Sequence, residues 1–176
     1  NTISSNTAYT SGGGLYLEES DATFSGNMIL SNTAIYSGGG LNLQYSDATL
    51  TNNVVADNRA NSTGSGLYIK GSSPRLLHTT IARNTGGDGS GVYVVAGEWG
   101  NYSAVALTNT ILVSHTVGIT VAADNEVRLE ATLWGTDAWA NLADWGGAGT
   151  ISTGAINIWD DPDFVNPDAG DYHIGS

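Results

Sequence analysis

The sequence predicts an all-β fold of the parallel β-helix type, a solenoid with about 26 residues per coil, three short strands per coil and about six to seven coils. Two observations carry this. The first is self-similarity at a fixed offset. Asn1, Ile3, Asn6 and Ala8 return as Asn27, Ile29, Asn32 and Ala34, the segment from Ser11 to Leu17 returns from Ser37 to Leu43, and Ser20 to Thr23 returns as Ser46 to Thr49, every pair 26 residues apart. The second is alternation of apolar and polar residues in very short runs bounded by Gly, Asn, Ser and Asp. Such runs are too short to enclose a core alone, so each must pair with its own copy one coil later.

In chain order, the first coil opens with a strand around Ile3, which points inward, and turns at Asn6-Thr7-Ala8. A Gly12-Gly13-Gly14 turn leads into a strand with Leu15 and Leu17 inside and Tyr16 outside. After a turn from Glu18 to Asp21, a third strand buries Ala22 and Phe24. Stacking gives apolar columns: Leu15, Leu41, Leu67 and Val92; Leu17, Leu43, Ile69 and Val94; Ile3, Ile29, Val55 and Ile81; Phe24, Leu50 and Leu76. A helix is excluded by the recurring Gly-Gly-Gly and β-branched runs. Two amide columns accompany them, Asn6, Asn32, Asn58 and Asn84, and Asn1, Asn27 and Asn53. Recurrence in every coil reads as a structural Asn ladder that satisfies turn backbone rather than as ligands. Gly12, Gly38 and Gly64 read as positive-φ turn positions; with no following helix or Lys they form no phosphate loop.

The copy decays after residue 59. Ser72-Ser73-Pro74-Arg75 replaces Ser-Asp-Ala-Thr, and residues 96–103, with Trp99 and Tyr102, read as a loop excursion outside the core. Val105 to Val113 resumes the pattern, with Asn109-Thr110-Ile111 echoing Asn1-Thr2-Ile3; Ile119 to Val121 and Val127 to Leu129 alternate as two further strands. Residues 1–133 are therefore expected as regular coils, and 134–176, rich in Trp and Gly, as irregular terminal coils of the same domain.

Small motifs extend the reading. Gly13-Gly14-Leu15-Tyr16 and Gly39-Gly40-Leu41-Asn42 resemble the Gly-Gly-Ala-aliphatic element of polymorphic outer-membrane protein repeats, and Phe24-Ser25-Gly26-Asn27 resembles their Phe-x-x-Asn element. The tail from Asp161-Pro162-Asp163-Phe164 to Gly170-Asp171-Tyr172-His173 is similar to the closing segment of bacterial surface β-helix proteins of the pectin-lyase-like superfamily. The resemblance implies a right-handed parallel β-helix, secreted or displayed at the cell surface of a bacterium. It speaks for the fold more than for the function.

Composition narrows the partners. The net charge of −12 disfavours nucleic acid and anionic membranes, the absence of Cys removes disulfides and thiolate chemistry, and no apolar run reaches the length of a membrane span. The chain opens inside a repeat without a leader peptide, as expected of a piece of a longer protein.

Catalysis finds little support. The outward column Tyr16, Asn42, Tyr68 and Tyr93 holds no base and no acid. Asp21 and Asp47 stack at a carboxylate spacing, but Ser73 follows them and turn-forming is the simpler role. His78, His115 and His173 show no metal-ligand or triad spacing. The acidic tail (Asp160, Asp161, Asp163, Asp168 and Asp171) is a Ca²⁺ candidate without the alternating register of a Ca²⁺ loop, so no cofactor is expected otherwise. Exposed aromatics are the candidate glycan contacts: Tyr16, Tyr68, Tyr93, Trp99 and Tyr102. The sequence thus favours a non-catalytic structural or adhesive module, extracellular or at the cell surface, with carbohydrate or neighbouring copies as partners. A carbohydrate-active enzyme, lyase or hydrolase, of the same fold and a subunit of an end-to-end stacked filament remain as alternatives.

Overall fold

The structure is a computed structural model and describes residues 1–175. Three parallel walls form a solenoid in which nearly every strand pairs with its counterpart in the next coil. The first wall stacks Thr2–Ser4, Met28–Leu30, Val54–Ala56 and Thr80–Ala82. The second stacks Leu15–Glu18, Leu41–Gln44, Leu67–Lys70, Ser90–Val95, Val117–Val121 and Ala143–Gly147. The third stacks Thr23–Ser25, Thr49–Thr51 and Arg75–Leu77. Ala104–Val113 and Glu126–Gly135 then each run through the third wall and on into the first, and Thr150–Thr153 and Asn157–Asp160 close the two walls separately. Where the sequence suggested a turn at Asn6-Thr7-Ala8, a narrow fourth ribbon pairs Thr7–Ala8, Thr33–Ala34 and Arg59–Ala60.

Register follows the repeat. Leu15, Leu41, Leu67, Val92 and Ile119 lie in one column, and Phe24, Leu50, Leu76, Leu107 and Leu129 in another. Leu41, Leu43, Leu50, Val55, Leu67, Ile69, Leu76 and Ile81 are fully buried. Each such aliphatic side chain removed from water stabilises the fold by about 1.5–3 kcal/mol before entropy is counted. The coils approach closely enough to require glycine at the turn: a Cβ on Gly39 would lie 2.3 Å from the Ser65 carbonyl oxygen.

The corners explain why the ten-residue strands can serve two walls. Gly26, Asn52, His78, Asn109 and Ala131 occupy one corner column, all left-handed, with φ between 49° and 63°. Counting from this corner corrects the expected echo of Ile3 by Ile111. Thr110 follows the corner residue Asn109, Leu112 points inward beneath Ile81, and Ile111 faces outward.

The outside of the first wall is also apolar, and the chain covers it. Phe164–Asn166 and Asp171–Ile174 form an antiparallel hairpin whose Phe164 and Tyr172 pack with Leu30, Val54, Ala56, Ala82, Ile111, Val113, Leu133 and Trp139. Residues 134–176, expected as irregular coils, therefore divide. The columns continue to Asp160, and the remainder that is described leaves the stack and lies against its side. The physical reason is the outward column of Val54, Ile111 and Leu133, which needs a cover.

Candidate functional site

The paired Asp21 and Asp47, most of the tail carboxylates, His115 and His173 are engaged in structural bonds. Asp21 Oδ1 accepts the Asp47 backbone N–H at 2.8 Å, and Asp47 Oδ1 accepts that of Ser73 at 2.6 Å, so both carboxylates act as links between coils. In the tail, Asp168 accepts from Arg83 at 2.6 Å, Asp171 accepts from His173, and Asp161 accepts the Asp163 N–H at 2.8 Å. Among the described residues no three His, Asp or Glu side chains converge to hold a metal. Arg83 joins the hairpin to the wall: its guanidinium forks onto Asp57 at 2.8 and 3.1 Å, and Tyr172 donates its hydroxyl to Asp57 at 2.6 Å. Burial works against the Arg83 charge, but Asp57 and Asp168 overcome it and hold the guanidinium above its ordinary pKa. Burial and the Asp57 hydrogen bond push the Tyr172 hydroxyl up.

His115 stands in the inner amide column. Asn6, Asn32 and Asn58 each donate a side-chain N–H to the Oδ1 of the next Asn, at 2.9–3.0 Å, ending on Asn84. The backbone N–H of the same residues reaches the same oxygens at 2.9–3.0 Å, which fixes the sense of every amide. Asn84 Nδ2 then meets His115 Nε2 at 3.2 Å, and His115 Nδ1 meets Asn141 Oδ1 at 3.2 Å. Only the tautomer with the proton on Nδ1 fits, because Nε2 faces a donor and Nδ1 an acceptor. Burial pushes the imidazole down to about 4, against a weaker upward pull from Asn141.

The aromatics named as glycan contacts occupy two places. Tyr16, Tyr68 and Tyr93 share one outward column of the second wall, with buried Asn42 between the first two. Tyr68 and Tyr93 stack on each other with centroids 5.9 Å apart and planes 8° apart, so their faces are turned to one another. Burial raises the Tyr68 hydroxyl, with help from the neighbouring Tyr93 and Tyr45.

The second place is a shoulder beside that wall. Tyr45 sits at a left-handed corner, and its ring fills the space where a Cβ on Gly71 or Gly97 would stand. Its hydroxyl accepts the Glu98 N–H at 2.9 Å, Asn101 Nδ2 donates to the Gly71 carbonyl at 3.3 Å, and Lys70 Nζ lies 3.6 Å from Glu98. These contacts pin the loop from both sides of Trp99, which is 100% exposed. Trp99 also takes a left-handed conformation, φ 60° and ψ 26°, at a cost on the order of 1 kcal/mol. Glu19, Tyr45, Glu98, Trp99 and Asn101 line a shallow groove there, and Tyr102 is exposed farther along the same loop. Tyr45 escaped the sequence reading because a single Tyr at a turn gives no periodic signal.

Residues 1–132 match a protein-family model described as right handed beta helix region. No curated protein and no solved structure matches the chain.

Proposed function

The chain belongs to the right-handed β-helix family, and from that premise we propose that it is a non-catalytic structural and adhesive module of a secreted or surface-displayed bacterial protein. Its carbohydrate contact is the shoulder carrying Trp99. One observation supports this most: a fully exposed indole is held in a costly backbone conformation by a loop that Tyr45, Gly71 and Lys70 tie down. A flat ring presented on a rigid support, flanked by Glu19, Glu98 and Asn101 as hydrogen-bond partners for hydroxyls, suits stacking on a sugar. The engagement of Asp21 and Asp47 in backbone bonds favours binding over hydrolysis.

Binding to an array of neutral and acidic glycans, repeated with Trp99→Ala, tests the proposal. Retention on a glycan that disappears in the variant is expected. Retention unchanged by the substitution, or release of reducing ends or unsaturated products from any bound polysaccharide, would count against it.

A further inference from the structure

The third wall carries a second feature, independent of the aromatic shoulder. Its outward column reads Thr23, Thr49, Arg75, Ala106, Arg128 and Ser152. Arg75 and Arg128 are both exposed and lie two rungs apart, about 9.6 Å between backbones at the usual strand spacing. Only the Ala106 methyl stands between them. The chain has just 5 basic residues against 17 acidic ones. Lys70 and Arg83 are committed to Glu98 and to Asp57 and Asp168, whereas neither Arg75 nor Arg128 has an ion-pair partner among the described residues. Two unpaired guanidiniums therefore face one notch on an otherwise acidic molecule. Leu77, Thr108 and Glu130 form its side, and the space is about 360 Å³, the scale of a single sugar unit.

The chemistry of the two forks narrows the ligand. One guanidinium saturates a carboxylate, because its paired donors match two oxygens. Two guanidiniums closing from the rung above and the rung below call for three terminal oxygens, which a tetrahedral ester supplies. Glu130 at the rim and the net charge of −12 penalise a second negative charge, which favours the singly charged sulfate ester over a phosphate dianion. Leu77 offers an apolar flank, and Thr108 and Glu130 offer partners for hydroxyls. We propose that the Arg75–Ala106–Arg128 notch binds a sulfate monoester carried on a sugar.

Titration calorimetry at fixed ionic strength with glucose 6-sulfate, glucose 6-phosphate, glucuronate and glucose tests this. The sulfate ester should bind with a millimolar or tighter dissociation constant, with glucuronate and glucose at least tenfold weaker. Arg75→Gln and Arg128→Gln should each weaken it at least tenfold, and Ala106→Leu should block it while keeping both arginines. Arg59→Gln, on the narrow fourth ribbon, should leave it unchanged, and thermal melting should show all four variants folded. Equal binding of glucuronate, tighter binding of the phosphate ester, no binding by any ester, or full affinity in Arg75→Gln and Arg128→Gln would overturn the proposal.

Discussion

Asn84 directs a side-chain N–H at His115 Nε2 across 3.2 Å, so a histidine continues an amide ladder that runs through five asparagines. A proton on Nε2 would set donor against donor. The ladder therefore opposes protonation by geometry as well as by burial.

Stability should fall with acid on this account. The imidazole titrates at about 4 when folded and near 6.5 otherwise. Between those values the unfolded chain binds a proton that the folded chain refuses. The neutral-state stabilisation is thus complete above pH 6.5 and is lost progressively down to about pH 4, a loss of about 3 kcal/mol. His115→Asn should flatten this part of the profile, as urea unfolding of both proteins across the range would reveal. Parallel profiles would remove His115 as the cause.

Asn58→Ala should be among the most damaging polar substitutions. Asn58 Oδ1 accepts from both the backbone and side chain of Asn32, and its Nδ2 donates to Asn84 and to the Ile29 carbonyl. Their loss strands several buried groups, at a cost of about 3 kcal/mol in chemical denaturation. Leu43→Asp should be worse, giving unfolding or aggregation, because it buries an unpaired charge in the column between Leu17 and Ile69.

Tyr172→Ala should release the side hairpin and leave the coils standing. The substitution removes the hydroxyl from Asp57 and the ring from Phe164 and Arg83. Limited proteolysis should then cut within 161–175 first, with the circular dichroism of the β-helix retained. Loss of the whole fold on this substitution would mean that the hairpin is integral to the solenoid.

Trp99→Gly should separate stability from binding. Glycine accepts the left-handed conformation that Trp99 strains to hold, so the variant should gain about 0.5–1 kcal/mol in thermal unfolding. The same variant should lose glycan retention. A stability loss would mean that the indole packs on the loop.

The first three coils were legible because one period holds through them, and the inward columns follow by counting. The count fails later: Arg75 aligns with Ala106, 31 residues on, and Ala106 with Arg128, only 22 on. The arginine notch and the place of His115, 31 residues after Asn84, were hidden for this reason. The hairpin cover had a signal that went unused. Met28-Ile29-Leu30, Val54-Val55-Ala56 and Ile111-Leu112-Val113 are apolar at every position, the pattern of a strand buried on both faces. Trp99 was visible as an aromatic in a loop, but its strained backbone has no counterpart in the sequence.

The sense of the amide column reaches beyond hydrogen bonding. From Asn6 to Asn141 every link between one ladder side chain and the next donates toward the later coil, while the second amide N–H of Asn32, Asn58 and Asn84 turns back to a backbone carbonyl of the earlier coil. The dipoles of these groups therefore add along the axis, and the solenoid is a vector with an acceptor end and a donor end. A coil inserted in reverse would break the current of donors, whereas a whole coil of the same sense would pass it on. Duplication of an entire turn thus lengthens the row without reversing it, whereas the extra residues around Trp99 leave the row intact by projecting sideways.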